Sequence, residues 1–106
     1  MEQLIAVDFQ THDESTVKDI KDQFSEHDVI ESDAFSGTEI VTVLITTSAV
    51  VLDKVLNYFA KNRKTLKETT LKVKSKEIEL SGFTNTEIQQ MISNGSLEAL
   101  MKLTAE

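Results

Sequence analysis

Between Leu71 and Leu80 the apolar side chains change parity. Leu71 and Val73 stand on odd positions, Ile78 and Leu80 on even ones. Successive side chains of a strand point to opposite faces, so one straight strand would send the two pairs to opposite sides of a sheet. A two-residue turn at Ser75-Lys76 brings all four to one face, with Val73 opposite Ile78 and Leu71 opposite Leu80. The same turn sets Lys72 opposite Glu79 and Lys74 opposite Glu77 on the other face, and opposite charges across a strand pair contribute roughly 0.2–1 kcal/mol each. The apolar and the charged patterns both select a hairpin. Ser-Lys lacks the Asn-Gly or Asp-Gly chemistry of tight turns, so a longer turn with a shifted register is the alternative.

Other segments read as strands and helices in turn. Ile5, Val7 and Phe9 alternate on one side of a strand. Thr11 and Glu14 have capping-box spacing, with Asp13 or Ser15 as rival caps, and Val17, Ile20 and Phe24 then form a narrow helical stripe. His27 to Glu31 fits either a short strand or a loop. Glu39 to Thr46 is rich in β-branched residues with apolar side chains on both parities, which predicts a central strand covered on both faces. Leu52, Val55, Leu56 and Phe59 at i, i+3, i+4, i+7 mark a buried helix face, opposite Lys54, Asn57, Lys61 and Lys64. After Gly82, Thr84 and Glu87 have capping-box spacing, followed by Ile88, Met91 and Ile92 at i, i+3, i+4. Asn94-Gly95 ends that helix, and Ser96 begins a last short one with Leu97, Leu100, Met101 and Leu103 as its apolar face. The expected fold is a single α+β domain over residues 1–106. It has a small mixed sheet with a hairpin in the C-terminal half, two main helices, and one or two short C-terminal helices.

Charge is unevenly spread. The net charge of −7 hides −9 over residues 1–39 and +7 over residues 54–76, with −4 after that and Asp53 alone between the first two. Such segregation bears on partners rather than on fold. Its plain reading is a set of solvated faces. With no cysteine there is no disulfide framework, thiolate nucleophile or cysteine-ligated metal. Met1-Glu2-Gln3 lacks the basic start of a signal peptide. The longest uncharged stretch, Ile40 to Leu52, falls short of the ~20 residues of a membrane helix. The expected location is cytoplasmic.

The catalytic inventory is thin. His12 and His27 each precede an aspartate but show no ligand spacing. No Walker loop, dinucleotide fingerprint, zincin motif or nucleophile elbow is present. No enzyme, metal or cofactor is expected. Surfaces remain. Lys61, Arg63, Lys64, Lys67, Lys72, Lys74 and Lys76 are the candidate partner-binding residues, at the exit of the second helix and on the hairpin. One arginine and no interleaved aromatic disfavour nucleic acid. An acidic protein segment, or a second copy of this chain, is the better occupant. The alternative surface is acidic, with Asp19, Asp22 and Glu26 on the first helix.

From Ile40 to Ile92 the order is an apolar strand, Thr47-Ser48-Ala49, and a helix ending Leu56-Asn57-Tyr58-Phe59-Ala60-Lys61-Asn62-Arg63. A Lys-rich link, the strand–turn–strand Leu71-Lys72-Val73 to Glu77-Ile78-Glu79-Leu80, and a closing helix follow. This arrangement resembles the effector-associated constant component family, small bacterial accessory proteins of conflict and immunity systems; the first helix, Thr16 to Phe24, fits its N-terminal half. The resemblance implies a non-enzymatic adaptor that works by protein–protein contact. The competing expectation is a small acidic inhibitor or immunity protein, of phage or mobile-element type, that blocks a basic target surface.

Overall fold

The alternating run near the N-terminus forms the strand on which the rest is assembled. The computed structural model describes residues 4–33, 37–46, 48–73 and 76–104. In chain order these form β1 (Leu4–Thr11), α1 (Glu14–Gln23), β2 (Asp28–Asp33), β3 (Glu39–Thr46) and α2 (Ala49–Lys61). There follow β4 (Glu68–Val73), β5 (Lys76–Glu79), a 3-10 turn (Leu80–Gly82), α3 (Asn85–Ser93) and α4 (Ser96–Thr104). The class is α+β. The ambiguous segment after His27 is a strand.

The five strands lie in the order β2-β3-β1-β4-β5. Every pairing is antiparallel, which corrects the expectation of a mixed sheet. The reason lies in the crossovers. β3 and β4 are both antiparallel to β1, so they run parallel to each other with β1 between them, and α2 carries the chain across it. In the same way α1 carries the chain from β1 across β3 to β2. Each helical crossover skips one strand, so parallel strands are never neighbours. The first six elements therefore have the ferredoxin-like split βαβ topology, extended at one edge by β5.

One face of the sheet makes the core. Ile5, Val7, Phe9, Val41, Val43, Ile45, Leu71, Val73 and Ile78 are buried there beneath Val17, Ile20 and Phe24 from α1 and its exit, and Leu52, Val55, Leu56 and Phe59 from α2. Three rings tie these layers together. Phe9 lies 5.9 Å from Phe24 and 5.6 Å from Tyr58, and Phe24 lies 5.7 Å from Tyr58, the two Tyr58 contacts being edge-on. Such pairs add about 0.5–1.5 kcal/mol each beyond burial. Ile88 of α3 and Leu100 of α4 extend the same core around α2.

Caps follow local chemistry. Asp13 caps α1 by accepting from the Ser15 backbone N–H at 3.0 Å, and its carboxyl is held below the usual range by hydrogen bonds from Ser15. The rival Thr11–Glu14 box does not form, because Thr11 ends β1. Its buried hydroxyl donates to the Thr65 carbonyl at 2.5 Å and accepts from the Asp13 N–H at 3.0 Å. On α3 the expected box is complete, with Glu87 N–H to Thr84 Oγ1 at 3.1 Å and Thr84 N–H to Glu87 Oε1 at 2.9 Å. Gly95, with φ of 95°, takes the left-handed turn after it that glycine tolerates.

Two finer expectations are corrected. The hairpin forms, but Leu71 faces Ile78, Lys72 faces Glu77 and Val73 faces Lys76. This register leaves only residues 74 and 75 between the strands. Leu80 drops out of β5 into the 3-10 turn and is still fully buried. β3 is an inner strand beside the central β1 rather than the central strand itself, and among the described residues helices cover only one of its faces. On the other, Ile40 and Leu44 stay half-buried, with no helix over them among the described residues.

Candidate interaction surface

The uncovered face of the sheet is built by the alternate residues of all five strands, and its chemistry divides into two halves. Toward β2 and β3 it is apolar. Leu4 is 62% exposed and Ile30 is 53% exposed, and they flank the half-buried Ile40 and Leu44. Toward β4 and β5 it is polar, with Gln10, Glu68, Thr70, Lys72, Glu77 and Glu79 around Asp8 in a shallow depression. Register sets Asp8 between Thr42 on β3 and Thr70 on β4. Its carboxylate accepts from Thr42 Oγ1 at 2.6 Å and pairs with Lys72 Nζ at 2.9 Å. The Lys72 ammonium is pushed up by that hydrogen bond and by the charge of Asp8. The lysine is half-exposed, so the pair contributes about 0–1 kcal/mol. Its partner is thus Asp8 on the neighbouring strand rather than Glu79.

The candidate basic residues do not converge. Lys61 lines the groove between α1 and α2, beside Asp19 and Tyr58. The Arg63 guanidinium stacks 4.9 Å over the Phe59 ring and donates to Asn85 Oδ1 and the Ser81 carbonyl, both at 3.0 Å. It fastens the end of α2 to the start of α3. Lys64 and Lys67 lie together beside His12 and Asp13. Lys72 is on the open face, whereas Lys76 shares a side with Val73 and so belongs to the helix-covered face. Lys74 lies outside the described residues. A +7 block of sequence becomes several small patches because the chain turns twice within it.

The acidic candidates are nearer to one another. Asp22 and Glu26 are exposed on α1 and in the turn after it. Asp19 is half-buried and accepts from the Tyr58 hydroxyl at 2.7 Å. Burial, together with that carboxylate, drives the Tyr58 phenol well above its ordinary range. On β2 Glu31 pairs with Lys21 at 2.7 Å, which sets α1 against the β2 edge of the sheet.

Sequence reasoning missed the open face. The apolar side chains on both parities of β3, next to Ile30 on β2, signalled a second apolar face but not whether a helix covers it. The histidines do not build a centre. His12 is exposed, with Thr38 Oγ1 3.5 Å from its ring nitrogens, and His27 sits 6.3 Å from Phe24. Among the described residues no group of three or more histidine and carboxylate side chains is placed to hold a metal. No helix among them is long and apolar enough to cross a membrane. No described protein family, curated protein or solved structure matches the chain.

Proposed function

We propose that this chain is a non-catalytic accessory domain that works by binding another protein through the open face of its sheet. The observation that carries the reading is the pair of large apolar side chains, Leu4 and Ile30, more than half exposed on a face that no helix among the described residues covers. Apolar groups gathered on one face, rimmed by charge, are the usual composition of a protein contact. The polar half favours a protein over nucleic acid. Asp8, Glu68, Glu77 and Glu79 outnumber Lys72, and among the described residues the face offers no aromatic ring for a base to stack on. A place in a bacterial conflict system is the part of this proposal that rests on the resemblance of residues 40–92 to the accessory family.

Affinity capture from the source cells tests the reading with three forms of the protein. The wild type and Val50→Arg, altered at an exposed position at the start of α2, are expected to hold the same partner in stoichiometric amount. The double variant Leu4→Arg/Ile30→Arg is expected to lose it while keeping its fold. Equal capture by all three forms would move the interface off this face.

A further inference from the structure

β2 is an edge strand whose outer side meets no other strand among the described residues. Among the described residues it pairs with β3 alone, over six consecutive one-to-one positions from Asp28↔Leu44 to Asp33↔Glu39. That register contains no bulge. Natural edges are usually blunted by a bulge, a proline, charged side chains or short length; the segment Asp28–Asp33 has neither proline nor lysine, and its guards are acids alone. The opposite edge differs: β5 is four residues long, begins with Lys76 and runs straight into the 3-10 turn. One end of the sheet is closed by shortness and a lysine, and the other is guarded by negative charge alone.

Charge selects what can pair there. Asp28, Glu31 and Asp33 lie along the strand, with Asp22 and Glu26 just before it in the chain. Two copies of β2 brought together antiparallel about their centre would set each Asp28 against the other copy's Asp33, and like charges directly opposite are destabilising. The acids therefore disfavour a second copy in this centred register and favour a cationic strand. We infer that the β2 edge takes an extended basic segment of another protein as a sixth, antiparallel strand of the sheet. Backbone hydrogen bonds hold such a segment and its side chains supply the selectivity. The inference rests on the protein-binding reading above and names the partner chemistry and the mode.

The strand dictates the matching sequence. Opposite Asp28 and Asp33 it needs lysine or arginine; opposite Glu31, whose carboxylate already meets Lys21, a neutral threonine suffices; opposite Val29 and Ile30 it needs apolar β-branched residues. Read antiparallel, this gives Lys-Thr-Thr-Val-Val-Lys. The test follows amide hydrogen exchange of the isotopically labelled full chain, residue by residue, with this capped hexapeptide and with Glu-Thr-Thr-Val-Val-Glu. The lysine peptide is expected to slow the β2 amides that point away from β3 by at least about tenfold, and to lose this effect at high salt. The glutamate peptide is expected to do nothing. Ile30→Lys, which places a guarding lysine on the strand at an exposed site, is expected to abolish the protection with the thermal midpoint unchanged. The inference is overturned by unchanged exchange in β2, by equal protection from both peptides, by protection at β5 instead, or by retained protection in Ile30→Lys. Unchanged β2 exchange, with the partner still lost from Leu4→Arg/Ile30→Arg, would sink the edge and leave the open-face reading standing. Protected β2 amides with no partner captured would do the reverse.

Discussion

Tyr58 shows how one side chain joins packing to titration. Its ring completes the aromatic cluster with Phe9 and Phe24, while its hydroxyl reaches Asp19 on the facing helix. The phenol is raised in the folded state, so it binds its proton more tightly there than in the unfolded chain. A raised group stabilises fully below its unfolded value of about 10 and loses that contribution as pH climbs through and beyond it. Denaturation of wild type and Tyr58→Phe across pH 8 to 12 is expected to show a stability gap that is constant at first and changes against the wild type above about pH 10. A constant gap throughout would remove the hydroxyl from the account. Spacing placed Tyr58 on α2 next to Phe59, but the Asp19 contact spans 39 residues of chain and leaves no local signal. Asp53 is similar. Isolated in sequence, it accepts from the buried Ser96 hydroxyl at 2.5 Å and so ties α2 to the first residue of α4.

At the scale of elements, periodicity was informative where one face is buried and silent where both candidate arrangements bury the same face. Parity in residues 71–80 demands a hairpin, yet sliding the pairing by two residues leaves every side chain on its own side. Sequence therefore chose the face of each residue but not Lys72's partner. The two residues between the strands lie outside those described. β3 carries the opposite lesson. Its two-sided apolar character was real, and reading it as two-sided cover mistook an exposed apolar face for a second buried one. Helix ends were more legible, because caps are local. α3 depends on its own N-terminus, since Ile88 is its one fully buried side chain. Thr84→Ala is expected to cost about 0.5–2 kcal/mol in urea denaturation, with Thr84→Ser recovering most of it. No change in the midpoint would mean that α3 is held by packing alone.

For the whole molecule, stability concentrates where β1 meets the helices. Phe9 is fully buried on the strand at the centre of the sheet and touches rings from both main helices. Phe9→Ala is expected to cost about 3–5 kcal/mol, a large share of the ~5–15 kcal/mol available to a domain. Val50→Ala, on the surface, is expected to stay within about 0.5 kcal/mol; equal effects in urea titration would misplace the core. The α+β class was legible from the order of patterned segments. The strand order was not, because it depends on pairings between distant residues. That same order sets a timetable. Ile5 pairs with Ile45 on one side and Val73 on the other. β1 is synthesised before both of its neighbours, and its second neighbour emerges only after α2 has been made. During translation one of its hydrogen-bonding edges must wait unpaired until β4 is made, so chain growth and sheet closure are coupled at β4. Folding dominated by such long-range pairings is slow, and a ribosome stalled before Val73 would hold a three-stranded sheet with β1 as its bare edge.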